Sequence, residues 1–268
     1  MHATNMTART NPAQPRRRAP LYWPWVLVVA AWAVALVAAL TGRTYLIDHD
    51  YLLEQSRLSW PATLAIFLTS WQVMTVGMML PSSMPMVYML VHASRHQARP
   101  RTTQLAFLAG YAAVWTVFAL AAFFADTLVH RLVDHWPWLG ANSYLIGTIT
   151  FAGAGAFQFS SLKERCLKAC RGPFSFFVRY YRKGVGAAWH LGLRHGLFCL
   201  GCCWALMLVM FGVGVGSLVW MAALAGVMVV EKTVPGGRWL SPVVGIALVL
   251  LAAVWLVQPV AGLWSAGK

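Results

Sequence analysis

Acidic side chains are nearly missing from this sequence: seven Asp and Glu among 268 residues, against 21 Lys and Arg. Charged residues of either sign make up only 10% of the chain, where a soluble domain carries roughly a quarter. Neutral polar residues do not fill the gap; Trp, Phe, Met, Val and Leu do, and 59% of the chain is hydrophobic. A soluble core of this length has no room for so much apolar surface, whereas a bilayer does. Soluble catalytic signatures are also absent. There is no Gly-rich phosphate loop, no H-E-x-x-H and no nucleophile elbow, so the chain is not expected to be an enzyme. The five cysteines are too few, and too tightly grouped, for a disulfide framework.

The formal charge of +14 would suit a nucleic-acid binder, but its distribution does not. Basic residues sit in short gaps between long apolar runs, with no basic stripe on a polar face. No nucleic-acid partner is expected; the natural partner of such a chain is the lipid bilayer.

The apolar runs predict an all-α bundle of about seven spanning helices, each needing about 20 apolar residues. They fall at 22–40, 61–91, 103–125, 142–161, 186–212, 217–230 and 240–260. Residues 1–20 read as a disordered cytoplasmic segment, and 21–265 as the transmembrane domain, with a cytoplasmic cysteine-containing loop at 163–185. With the N-terminus inside, the inner segments hold sixteen Lys and Arg and the outer ones four (Arg43, Arg57, Arg131 and Lys268). This asymmetry predicts an N-in, C-out, multi-pass protein of the inner (plasma) membrane.

Chemistry-bearing residues concentrate in three places. The fifth run contains Cys199, Cys202 and Cys203, with His195 one turn earlier. On a helix Cys199 neighbours both later cysteines, which makes a ladder of N and S donors. Thiolate and thioether ligands favour Cu(I), and thiolate with imidazole also suits zinc. The bland alternative is that small cysteines simply pack well between helices. The second run reads MTVGMMLPSSMPM and carries Met74, Met78, Met79, Met84, Met86 and Met89, half of the 12 methionines. Pro81 and Pro85 should bend it, with Ser82 and Ser83 meeting the freed carbonyls, and Met74 and Met78 are expected to approach the thiols. Flexible core filling is the competing explanation for the methionines. Cys166 and Cys170 form a C-x3-C pair in the basic segment after the fourth run.

Two charged positions stand out inside the apolar runs. Glu231 ends the sixth run and Arg194 lies in the fifth, and the cost of leaving either unpaired in lipid predicts that they meet. Glu231 is alternatively a metal ligand, and Lys232 beside it reads as a snorkelling terminus. On the outer side, Asp48, His49, Asp50, His130, Asp134 and His135 offer a hard-ligand mouth or a solvated loop.

Three stretches, MTVGMMLPSSMPMVYML, LKERCLKACRGP and GLFCLGCCWALMLVMFGVGVGSLVWMAALAGVMVVEK, resemble the DUF2182 family of metal-binding integral membrane proteins, some of them described as copper chaperones. The resemblance implies metal binding at Cys166, Cys170, Cys199, Cys202, Cys203 and Glu231. Ala169 stands before Cys170, where the family pattern leads one to expect His.

The expected function is Cu(I) binding and delivery through Cys, Met and His sites, to or from a protein partner. The alternative is a membrane thiol-redox subunit cycling Cys199 and Cys202, or a haem-binding subunit using the helix histidines. A purely structural subunit is the third reading.

Overall fold

A computed structural model describes residues 22–42, 58–213 and 217–257. Among them every regular element is helical. In chain order these are α1 (Trp23–Leu40), α2 (Trp60–Ser94), α3 (Pro100–His135), α4 (Pro137–Ala141), α5 (Tyr144–Phe157), α6 (Ser161–Arg171), α7 (Pro173–Tyr180), α8 (Val185–Val213), α9 (Leu218–Thr233) and α10 (Leu240–Val257). A short 3-10 turn, Gly237–Trp239, precedes α10.

All seven apolar runs become helices. Five segments are long and apolar enough to cross a membrane: Trp23–Leu40, Trp60–Ser94, Pro100–His135, Val185–Phe211 and Gly237–Val257. The pair α5 and α6, bent by 62° at its break, would make a sixth. Among the described residues this gives five candidate spans, or six with that pair, against the seven expected; the described α9 has 16 residues, about 24 Å of helix. Chain ends and the 43–57 segment, with Asp48, His49 and Asp50, lie outside the described residues.

The segment expected as a loop at 163–185 is mostly helical. Ser160 caps α6 by accepting the Lys163 N–H at 3.1 Å. Lys163, Cys166 and Leu167 share one buried face of α6, at the i, i+3, i+4 spacing of an amphipathic helix. That face lies against α8, and Gly201 makes the approach feasible: a Cβ there would fall 2.6 Å from Cys166 Sγ.

The long helices α3 and α8 form another close pair. Gly192 and Gly196 lie one turn apart on α8, and a side chain at Gly192 would overlap the Phe107 carbonyl of α3. Small residues at this spacing let helix backbones touch without relying on water exclusion.

Helix α2 runs unbroken through Pro81 and Pro85. Pro81 cannot donate to Gly77, four residues back. The freed Gly77 carbonyl accepts from the Trp32 indole of α1 at 3.2 Å, so a neighbouring helix meets it and not the serines. The Ser82 hydroxyl bonds the Met79 carbonyl at 2.8 Å. Outward faces of α1 and α10, with Val29, Val37, Ile246 and Leu250, are exposed and apolar.

Candidate metal centre

Side chains of α2, α3, α8 and α9 meet in a buried, sulfur-rich cluster, the chamber of this bundle. Cys199, Cys202 and Cys203 on α8 are each 1% exposed, and Met79 on α2 is fully buried. Cys203 Sγ lies 3.6 Å from Met79 Sδ, a thiol facing a thioether across the helix interface. Cys199 Sγ lies 3.1 Å from the Tyr111 hydroxyl of α3. The last turn of α9 sends Lys232 into the same space. Its Nζ is 3.2 Å from Cys199 Sγ, 3.5 Å from Ser82 Oγ, 3.7 Å from Cys203 Sγ and 3.9 Å from Met79 Sδ. Three sulfur atoms on two helices thus converge on one cationic group.

The methionine that meets Cys203 is Met79, the residue after Met78. Met74 and Met78 are buried in the same core cluster as the three cysteines. Cys202 points elsewhere. Its Sγ lies 3.9 Å from Cys170 Sγ of α6, which is partly exposed. Cys166, on the buried face of α6, meets Gly201. Cys202 and Cys203 both donate to the Cys199 carbonyl, at 3.0 and 2.8 Å. The thiol–thiol contact between helices is Cys170 of α6 with Cys202 of α8.

His195 is buried within an aromatic cage, its ring 5.9 Å from Phe107, 5.7 Å from Tyr111 and 5.9 Å from Phe176. Its Nε2 has no hydrogen-bond partner. Tyr111 ties this ring to the chamber, stacking on His195 while its hydroxyl meets Cys199.

The expected meeting of Glu231 with Arg194 does not occur. Glu231 pairs with Lys163 of α6, whose Nζ lies 2.9 Å from both carboxylate oxygens, and both residues are 1% exposed. Ser241 donates to Oε1 at 2.8 Å, and Lys163 also bonds the Gln158 side chain. Arg171 adds a bond to the Glu231 backbone carbonyl at 2.6 Å. Arg194 faces outward instead, its guanidinium 4.7 Å from the centre of the Tyr180 ring. The Glu231–Lys163 pair joins α9 to α6. On the other side of the bundle, His130 bonds the Asp126 carbonyl at 3.0 Å, one turn before it.

Spacing along α8 could not reveal Lys232, Tyr111 or Lys163, because it says nothing of what faces that helix. The burial of Lys163 had a sequence signal, the i, i+3, i+4 alternation of Lys163, Cys166 and Leu167. That of Lys232 had none.

Among the described residues, no group of three or more His, Cys, Asp or Glu side chains is arranged to hold an ion. The convergence is of two thiols and a thioether, a soft donor set that suits Cu(I) better than harder ions. No curated protein and no solved structure matches the chain. Residues 68–255, which include every chamber residue, match the family model PpoB2, described as copper chaperone; the match covers more than half of the sequence, and the chain belongs to this copper-chaperone family.

Proposed function

We propose that the protein spans a membrane and binds Cu(I) inside its helix bundle, between Cys199, Cys203 and Met79, for transfer to a protein partner. The supporting observation is the thiol–thioether approach of Cys203 to Met79 at 3.6 Å, with Cys199 bordering the same space. Two thiolates and a thioether are soft ligands that match a soft monovalent ion, and the family match independently points to copper handling. The partly exposed Cys170 with Cys202 forms a neighbouring thiol pair, suited to receive or release copper by ligand exchange near the surface of the bundle. His195, with an unpartnered ring nitrogen one turn from Cys199, is the nearest imidazole on the same helix.

The test is copper stoichiometry of protein purified in mild detergent under reducing, anaerobic conditions. Cys199→Ser with Cys203→Ser should abolish tight Cu(I) binding, and Met79→Leu should weaken it. Unchanged stoichiometry in the double cysteine variant would refute the chamber as the copper site.

A second reading is thiol-redox exchange, favoured by the 3.9 Å approach of Cys170 to Cys202. Those thiols would form a disulfide, passing two electrons and two protons to a disulfide or quinone acceptor. Mass mapping after mild oxidation separates the readings, since only the redox one requires a reversible Cys170–Cys202 crosslink in the working protein.

A further inference from the structure

Lys232 is 6% exposed, and its ammonium lies among Cys199, Ser82, Cys203 and Met79. Among the described residues no carboxylate lies within ion-pair reach of it. The adjacent acid, Glu231, is already committed to Lys163 and Ser241. A buried ammonium without a counter-charge is strongly unfavourable, and buried charges persist where something compensates them. The nearest groups able to become negative are the thiols of Cys199 and Cys203, at 3.2 and 3.7 Å.

The charge count then gives Lys232 a role. Two neutral thiols that bind Cu(I) release two protons and leave a copper bis-thiolate of charge −1. With the ammonium beside it, the loaded chamber is neutral. Without the ammonium, loading would bury a net negative charge. A divalent ion reverses the balance: Zn(II) with two thiolates is neutral, and the ammonium then remains as an uncompensated +1. We propose that Lys232 is the fixed counter-charge of the copper–thiolate centre, and that it sets the chamber's preference for a monovalent over a divalent ion. This rests on the copper reading above and adds a specificity-determining residue to it.

The experiment measures two affinities on the full-length protein in detergent. Cu(I) is titrated anaerobically against a chromophoric chelator, and Zn(II) against a fluorescent one. Lys232→Met should weaken Cu(I) binding by roughly tenfold or more, as expected for loss of a buried compensating charge, and tighten Zn(II) binding. Lys232→Arg, which keeps the charge, should retain the wild-type order of preference. Lys232→Gln, polar but neutral, should follow the Met variant, which guards against misfolding of that one protein. Cu(I) binding that is unchanged or tighter in both neutral variants would overturn the proposal, as would an unaltered ratio of Cu(I) to Zn(II) affinity. Cys199→Ser with Cys203→Ser, measured alongside, separates the two claims. Loss of Cu(I) binding there with no effect at Lys232 sinks only the counter-charge. No loss there sinks the copper site itself.

Discussion

The ammonium of Lys232 lies 3.2 Å from the sulfur of Cys199, although the two residues are 33 positions apart and sit on different helices. This contact joins the last turn of α9 to the middle of α8 and places a positive charge among sulfur donors. Glu231, one residue earlier and so about 100° around α9, points instead to Lys163 of α6.

That partner supplies the first prediction. Lys163 and Glu231 form a fully buried ion pair between α6 and α9. Removing one member leaves the other charge buried and unpaired, a loss of about 3–5 kcal/mol. Glu231→Gln or Lys163→Met should therefore lower the thermal midpoint in detergent markedly. The double replacement Lys163→Met with Glu231→Met should recover part of the loss. Single variants as stable as the parent would show that the pair does not fasten α6.

Close packing of α3 on α8 gives a second. A side chain at Gly192 would overlap the Phe107 backbone, which cannot swing aside as a flexible side chain can. Gly192→Val should destabilise the fold by about 1–3 kcal/mol through overpacking. Gly226→Ala, where a Cβ meets nothing within 4 Å, should be nearly silent in the same melting experiment.

Membrane topology gives a third. With all seven apolar runs crossing, the split of basic residues is sixteen to four, and it places Arg95–Arg101 and the α6–α7 segment in the cytoplasm with the C-terminus on the other side. Reporter fusions after residues 98 and 268 should give opposite signals. A cytoplasmic signal at both would contradict an odd number of crossings.

Much of the helix pattern was legible in the sequence, because apolar length alone marks a helix that needs no water. The second run was expected at 61–91 and is observed at Trp60–Ser94; the fifth, expected at 186–212, is Val185–Val213. The segment after α5 was misread as a loop because Lys163, Glu164, Arg165, Lys168 and Arg171 make it look polar throughout. Its buried face is narrow, and its one buried charge is held by an acid 68 residues away. The site was half legible. Helical spacing gathered the three cysteines and pointed to the methionines of α2, yet it did not single out Met79, whose sulfur lies 3.6 Å from Cys203 Sγ. Lys232 was illegible for a simpler reason: a lysine at a helix end normally snorkels to water, and only tertiary packing turns it inward.

The proposed function requires that Cys199, Cys203 and Met79 together hold Cu(I). X-ray absorption at the copper edge of the loaded, reduced protein tests it most directly, because scattering distinguishes sulfur from nitrogen and oxygen neighbours. The expected result is a sulfur-dominated shell that loses one scatterer in Met79→Leu and is lost in Cys199→Ser with Cys203→Ser. A shell of nitrogen and oxygen alone, or a sulfur shell unchanged by the double cysteine replacement, would contradict it.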